Sequence, residues 1–271
     1  MNFTDLGLSE KTIKAINEVG IKAPTTVQAD VIPSVLAGKD VFTIAPSGCG
    51  KTCSYVFPLI EIISQKKAKN ILIITANSEQ SVTVSDRFAV FNKYHEVNET
   101  TLTEESEKVN SEANVIIASP DLLLELVDEE KLNLSEIDVL VVDDINLIKK
   151  LHQLKNLEKI LEILPADKQN IVFTNRRSRE TQDILDKILQ TPEQIKINKD
   201  KEAEAVNNET ETTPVKFEKP AKAENKVMPK KNIASELSYD VEAVGLMKKF
   251  HTFGRKTPEY MLINVKLADD E

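Results

Sequence analysis

The chain has 271 residues, of which 41% are hydrophobic and 29% are charged. At about 150 residues per domain, this composition allows one large globular domain or two small ones and excludes a fibrous or wholly disordered protein. Acidic residues outnumber basic ones by 44 to 35, and only five of the bases are arginines. Because guanidinium groups are favoured partners of phosphate backbones, a contact with nucleic acid would have to be local.

Two further features bear on the compartment. No apolar run approaches the roughly 18 residues that a membrane-spanning helix needs, and the N-terminal residues lack a basic segment followed by an apolar one. Cys49 and Cys53 lie four positions apart in a chain with three histidines, which suits neither a disulfide framework nor a metal site. We therefore expect a soluble, cytoplasmic protein without a membrane partner, in which both cysteines are reduced and act as small apolar residues.

Residues 1–197 alternate short β-branched runs with helical patterns, which predicts an α/β domain, a parallel sheet flanked by helices on both faces. The predicted strands are Val41–Ala45, Ile71–Thr75, Val115–Ala118, Val139–Val142, Ile171–Thr174 and Ile195–Ile197. The predicted helices are Ser9–Val19, Thr26–Leu36, Lys51–Ser64, Glu79–Phe91, Asp121–Glu130, Asn146–Leu164 and Ser178–Leu189. In such a sheet the ligand site lies at the carboxyl ends of the strands.

The composition changes after residue 197. Residues 198–231 contain 8 lysines, 7 acidic residues and three prolines but almost no large apolar side chains, so we expect a disordered linker. Its nearly balanced charges favour a solvated tether over a contact with nucleic acid. Residues 232–271 are too few to fold alone, and we expect this C-terminal tail to dock on the main domain or on a partner protein.

The strongest chemical signal is the segment APSGCGKT, Ala45–Thr52, which follows a predicted strand and opens a predicted helix. A phosphate chain needs converging backbone N–H groups, a helix N-terminus, a lysine ammonium and a hydroxyl that helps to hold Mg²⁺. The candidate nucleotide-binding residues of the loop are Ser47, Gly48, Cys49, Gly50, Lys51 and Thr52. The segment differs from the general phosphate-loop pattern at one position, where Ala45 replaces the first glycine. The alternative to a nucleotide-binding loop is a tight strand-to-helix turn with an incidental lysine.

Phe3 precedes Gly20 by 17 residues, and Gly20 begins the stretch GIKAPTTVQ, which ends at Gln28. Together with the phosphate loop, these residues resemble the N-terminal, RecA-like domain of DEAD-box RNA helicases, whose phosphate loop commonly begins with alanine. The resemblance implies that Phe3 packs on adenine and that Gln28 hydrogen-bonds the edge of the base. ATP and Mg²⁺ would then be the cofactors. The alternative from the residues alone is that Phe3 staples and Gln28 caps the first helices.

The segment VLVVDDIN, Val139–Asn146, places two acids at the end of a predicted strand. Asp143 is suited to coordinate Mg²⁺ together with Thr52, directly or through water. The resemblance implies that Asp144, with Lys51, is catalytic and that it orients or deprotonates the attacking water. The family has glutamate there, and because aspartate is one methylene shorter, we expect binding to persist while hydrolysis is slow or absent.

The motifs that the family uses to couple nucleotide to RNA depart further. Asn146 stands in place of the last aspartate of the D-E-A-D tetrad, and F-T-N-R at Phe173–Arg176 replaces the serine-alanine-threonine motif, which puts the coupling in doubt. RNA-contacting motifs are replaced by TANSE at Thr75–Glu79 and by SPDL at Ser119–Leu122, and the double-glycine turn expected near Tyr94–Val97 is missing. Since lost phosphate contacts lower affinity, we expect weak binding to RNA or to a ribonucleoprotein.

The arginines Arg176, Arg177 and Arg179 could bind RNA or an acidic partner, but a solvated cluster at the start of a helix is favoured. Family helicases have a second domain that supplies an arginine finger, whereas residues after 197 offer the predicted linker and tail. We therefore expect an ATP-binding, helicase-like protein with impaired hydrolysis. Two alternatives stay open: an active ATP-dependent RNA helicase or ATPase completed by a separate chain, and a nucleotide-independent scaffold that recruits partners through residues 232–271.

Overall fold

The computed structural model describes residues 1–104, 106, 110, 113–189 and 191–197. These residues form one sheet with the strand order β3-β4-β2-β5-β6-β1-β7, in which every pair of neighbours is parallel. The strands are β1 (Val41–Ile44), β2 (Ile71–Ile74), β3 (Glu99–Thr101), β4 (Val115–Ala118), β5 (Val139–Val142), β6 (Gln169–Thr174) and β7 (Glu193–Lys196). The predicted α/β fold is confirmed, and the predicted linker and tail lie outside the described residues.

Helices connect the strands, and several begin at polar N-cap residues. They are a 3-10 helix (Phe3–Leu6) followed by α1 (Glu10–Glu18), α2 (Thr26–Leu36), α3 (Lys51–Ser64), α4 (Ser78–Phe91), α5 (Pro120–Asp128), α6 (Ile145–Lys150), α7 (Leu154–Ile163) and α8 (Arg179–Ile188). The side chains of Ser9, Thr25 and Asn77 accept backbone N–H groups at the starts of α1, α2 and α4. Such caps satisfy donors that a helix leaves unpaired at its N-terminus.

The sheet separates two layers of core, because successive side chains of a strand point to opposite faces. In β2, Ile71 and Ile73 pack among residues of α1 to α4, whereas Leu72 and Ile74 pack among residues of α5 to α8. All four side chains are fully buried. This double burial explains why the central strands are apolar at nearly every position.

The structure corrects one predicted element and adds one that was not predicted. The predicted helix Asn146–Leu164 is two helices, because the chain turns after α6 and His152 adopts a left-handed φ of 62°. The apolar spacing continues across the break, which is why the pattern predicts one helix. The short strand β3 was not predicted, because its sequence ETT is polar and it pairs only with β4 at the edge of the sheet.

The strand order fixes where a ligand can bind. β5, β6 and β1 are neighbours, so the residues that follow them lie side by side at the carboxyl edge of the sheet. These residues are the phosphate loop after β1, Asp143 after β5 and the segment after Thr174 in β6. Among the described helices, none has the length and apolar character needed to cross a membrane.

Candidate nucleotide-binding site

The loop between β1 and α3 has the backbone geometry of an anion-binding turn. Gly48 and Gly50 adopt left-handed φ angles of 87° and 90°, which glycine tolerates without strain. α3 then begins at Lys51, and Gly50 provides no side-chain cap for the N–H groups of the first turn. Converging N–H groups at a helix N-terminus attract phosphate. The loop therefore has the features that its sequence predicts.

Contacts inside the loop hold its shape. The Nζ of Lys51 donates to the carbonyl oxygen of Ala45 at 3.1 Å, and the Sγ of Cys49 donates to the carbonyl oxygen of Pro46 at 3.0 Å. Cys49 and Cys53 are buried thiols, and burial raises the pKa of Cys53 to about 11. Both cysteines therefore behave as the reduced, apolar-like residues that the sequence predicts, while Ser47 and Gly48 are exposed on the loop.

The stretch that ends at Gln28 supports the phosphate loop directly. The Oγ1 of Thr25 donates to the carbonyl oxygen of Cys49 at 2.9 Å, and the Nε2 of Gln28 donates to that of Gly50 at 3.4 Å. A Cβ on Gly50 would lie 2.7 Å from the same Nε2 and on a backbone with a φ of 90°, so a larger residue there would strain the backbone and displace the Gln28 amide. Thr25 was not among the predicted site residues, although the capping sequence T-T-V-Q carries the signal.

Gln28 also caps its own helix. Its Oε1 accepts the backbone N–H of Thr25 at 3.1 Å, while the Oγ1 of Thr25 accepts the N–H of Gln28 at 3.4 Å. The capping alternative therefore holds, and the same amide reaches the phosphate loop. Hydrogen bonding of Gln28 to an adenine edge stays a prediction.

The ring of Phe3 lies in the core layer of α1 to α4. Its exposed fraction is 4%, and it makes an edge contact with Phe57 of α3 at a centroid distance of 5.9 Å. Phe57 in turn packs edge-on against Phe91 at 4.6 Å. These contacts anchor the N-terminal segment, as the staple alternative requires, and packing of Phe3 on adenine stays a prediction.

Asp143 lies opposite the start of α3 and receives a hydrogen bond from it. The hydroxyl of the fully buried Tyr55 donates to Oδ2 of Asp143 at 2.9 Å. Burial raises the pKa of Asp143, against the opposing influence of the Tyr55 hydrogen bond and of the nearby Lys51 ammonium. The structure thus brings Lys51 and Asp143 to one site. Tyr55 was not predicted, because its partner is 88 positions away in the chain.

Asp144 adopts an unusual backbone conformation at the N-cap of α6. Its φ and ψ are 59° and 71°, in the left-handed region that aspartate enters more readily than most residues. Its Oδ1 is buried and has no hydrogen-bond partner among the residues that the structure describes. Because Oδ1 of Asp144 is an unpaired acceptor, it is suited to accept a hydrogen bond or a proton from a ligand or a water.

Asn146 connects α6 to the segment after β6. Its Nδ2 lies 2.6 Å from Oγ1 of Thr174, 3.1 Å from Oδ1 of Asn175 and 2.7 Å from the carbonyl oxygen of Arg176. The hydroxyl of Thr174 donates to that same carbonyl at 2.8 Å. Where the family has an aspartate, the side-chain amide of Asn146 therefore joins α6 to the segment after β6 by donating to oxygen acceptors.

The segments in place of the RNA-contacting motifs make local hydrogen bonds, which cap α4 but leave the N-terminus of α5 without a side-chain cap. Oδ1 of Asn77 accepts the N–H of Gln80 at 2.9 Å, and Oε1 of Gln80 accepts the N–H of Ala76 at 3.0 Å. At the start of α5, the Oγ of Ser119 donates to Oδ1 of Asp121 at 2.5 Å. These polar groups therefore form hydrogen bonds with residues close to them in the chain.

Arg176, Arg177 and Arg179 are exposed, as expected for a solvated cluster. Arg177 donates from Nη2 to Oε1 of Gln194 at 2.6 Å, and its guanidinium carbon lies 5.9 Å from the ring centroid of Phe42. These contacts tie Arg177 to the β7 edge of the sheet.

The side chains at this edge fit a magnesium nucleotide. The described part of the chain has no group of three or more His, Cys, Asp or Glu residues that could hold a metal. Mg²⁺ commonly keeps several waters and binds one or two protein oxygens together with substrate phosphates. Thr52 and Asp143 offer such oxygens beside a loop built for phosphate.

Comparison with known proteins agrees with this geometry. The family model for DEAD/DEAH box helicases matches residues 25–184, more than half of the chain. The DEAD-box ATP-dependent RNA helicase RhpA of Helicobacter pylori (strain B128) is 28% identical over 202 residues, which cover 72% of this chain and 41% of RhpA. The ATP-dependent RNA helicase dbp10 of Schizosaccharomyces pombe is 31% identical over 206 residues, which cover 73% of this chain and 24% of dbp10.

A solved structure matches the same region. The DEAD box protein from the hyperthermophile Methanococcus jannaschii superposes with a TM-score of 0.70 at 26% identity, over 73% of this chain and 56% of that one. The chain thus spans less than half the length of the two curated relatives. It belongs to the DEAD/DEAH box helicase family, and the part that matches is the family's N-terminal RecA-like domain.

Proposed function

We propose that this domain binds ATP with Mg²⁺ and acts as a nucleotide-dependent switch of the DEAD-box type. The main support is that the phosphate loop, with two left-handed glycines before Lys51 and Thr52, follows β1 and that Asp143 follows β5, with only β6 between these strands. The nearby Lys51 ammonium opposes the rise in the pKa of Asp143 that burial causes. Lys51 and the N–H groups of α3 would bind the phosphates, and Thr52 and Asp143 would hold the metal. Bound Mg²⁺ would neutralise phosphate charge.

Slow hydrolysis is the second part of the proposal. Asp144 stands where the family has glutamate, and its shorter side chain would hold an attacking water about 1.5 Å too far away, an error that costs about 100-fold in rate. We also propose that the linker and tail after residue 197 supply no arginine finger, which is worth about 10³-fold or more in related enzymes.

Weak engagement of RNA or of a ribonucleoprotein is the third part. The side chains of Asn77 and Ser119, which stand in the family's RNA-contacting segments, are used in local hydrogen bonds. Since phosphate contacts supply most of the sequence-independent affinity, few such contacts give weak binding with a shallow salt dependence.

Calorimetric titration of ATP and ADP with Mg²⁺, followed by phosphate release with and without single-stranded RNA, tests the proposal. Micromolar binding without RNA-stimulated release is the expected result. Stimulated release would favour the active-enzyme alternative and show that Asp144 positions water. Absence of binding would favour the scaffold, which predicts that deletion of residues 232–271 abolishes partner capture while Lys51→Ala does not.

A further inference from the structure

Tyr55 is the one described side chain that hydrogen-bonds the carboxylate of Asp143. It lies one helical turn after Lys51, on the face of α3 that points into the core. Its hydroxyl donates to Oδ2 of Asp143 at 2.9 Å. The phenol therefore contacts Asp143, one of the two side chains that the proposed function assigns to magnesium.

The ring of Tyr55 has little freedom to move. Its exposed fraction is 0%, and it packs against Phe173 of β6 at a centroid distance of 5.3 Å. A buried hydroxyl needs a partner, and this one is fixed by the ring that carries it. The hydrogen bond to Oδ2 restrains the rotation of the Asp143 carboxylate.

We propose that Tyr55 is a positioning residue for the magnesium site, acting through Asp143. This inference rests on the proposed function. Side chains that orient metal ligands typically contribute 10-fold to 100-fold to metal affinity. Loss of the hydroxyl should therefore weaken the part of ATP binding that depends on magnesium and leave the metal-free part unchanged.

The test compares Tyr55→Phe with the wild-type full chain. ATP affinity is measured in EDTA and over a series of Mg²⁺ concentrations. Phenylalanine keeps the contact with Phe173, so we expect the same dissociation constant in EDTA and a Mg²⁺ requirement raised about tenfold or more. Tyr94→Phe is the matched control, because Tyr94 also donates to a carboxylate, that of Glu18, on another part of the surface. It should change neither quantity.

A double-mutant cycle separates positioning from general packing. In an Asp143→Ala background, Tyr55→Phe should have no further effect on the Mg²⁺ requirement, because the residue through which it acts is gone. An unchanged Mg²⁺ requirement in Tyr55→Phe would overturn the role of Tyr55 without contradicting the proposed function. Equal weakening in EDTA and in Mg²⁺ would show a structural role and also overturn it. Failure of the wild-type chain to bind ATP would contradict the proposed function as well.

Discussion

Two acidic positions of the family motif differ in this chain, and they have different consequences. Asp144 alters a group expected to act on water, whereas Asn146 alters a group that joins two segments. Oδ1 of Asp144 is buried without a partner in the described structure, while Nδ2 of Asn146 lies within 3.1 Å of three acceptors. The first substitution is therefore expected to affect rate and the second stability.

Replacing Asp144 by glutamate should raise the rate of phosphate release. The added methylene extends the carboxylate towards the water, and recovery of up to about 100-fold is expected if reach limits the rate. Asp144→Asn has the same length as the native residue but no basic carboxylate, so it should show no increase. Equal rates for Asp144→Glu and the wild type, in the presence of single-stranded RNA, would show that reach is not the limit.

Replacing Asn146 by aspartate should destabilise the domain, although it restores the family residue. A carboxylate would face the oxygens of Asn175 and Arg176, which now accept hydrogen bonds from the amide. Because Asn175 and Arg176 are exposed, the expected cost is that of ordinary lost hydrogen bonds, about 0.5–1.5 kcal/mol each, which urea unfolding can measure. Asn17→Asp, on the exposed surface of α1, is the control for added charge. No loss of stability in Asn146→Asp would contradict the donor role of the amide.

The residues of the candidate site differ in how readily they can be predicted from the sequence. The phosphate loop is a local signal, because its residues act on one ligand from adjacent positions. Thr25 could have been found from its capping pattern. Tyr55 could not, because its contact with Asp143 depends on which strands are neighbours in the sheet, and that order follows from the whole fold.

Elements were predicted well where one pattern decided them. The bounds of α2, α3, β4 and β5 match the prediction, because buried strands are apolar throughout and helices have clear starts. The break between α6 and α7 was missed, since apolar residues keep helical spacing through a left-handed turn at His152. β3 was missed because a polar edge strand of three residues has no apolar alternation.

A partly buried hydrogen-bond network joins α1, α3 and the turn after α4. Oε1 of Glu61 accepts from the N–H of Ser9 at 2.8 Å and from Oγ1 of Thr12 at 2.5 Å. Nε2 of His95 lies 2.9 Å from Oγ1 of Thr12, and its Nδ1 lies 2.8 Å from Oγ of Ser64. Because the single hydroxyl proton of Thr12 goes to Glu61, His95 must donate from Nε2, which fits the neutral ring.

This network predicts loss of stability in acid. Burial lowers the pKa of His95 despite the nearby Glu61 carboxylate, so the unfolded chain takes up this proton first as the pH falls below about 6.5. Burial raises the pKa of Glu61, but the hydrogen bonds from Ser9 and Thr12 have the larger combined effect, so the pKa is lowered overall. The Glu61 carboxylate therefore stabilises the folded state at neutral pH, and this stabilisation is lost as the pH falls below about 4.5. Both effects reduce the free energy of unfolding as the pH decreases.

Urea unfolding between pH 7.5 and 5.5 isolates the histidine part of this prediction. The decrease in stability should be smaller in His95→Asn than in the wild type. His152→Asn is the control, since His152 is exposed and asparagine tolerates its left-handed φ. The same decrease in His95→Asn as in the wild type would contradict the assignment of a neutral, half-buried His95.

At the scale of the whole molecule, one RecA-like domain combines a phosphate loop that keeps the family pattern with altered coupling and RNA-contacting segments. The family membership and fold follow from the match over residues 25–184 and from the parallel sheet. The switch, the slow hydrolysis and the role of Tyr55 all require that the domain binds nucleotide. In the proposed function, Lys51 at the start of α3 binds the phosphates of that nucleotide.

Titration of Mg²⁺–ATP into the wild-type chain and into Lys51→Ala tests that claim most directly, with Lys67→Ala, beyond the other end of α3, as the control for lost charge. Hydrogen bonds to charged groups contribute about 1.5–3 kcal/mol, so Lys51→Ala should weaken binding at least about tenfold while Lys67→Ala binds like the wild type. Equal affinities in wild type and Lys51→Ala would contradict the account.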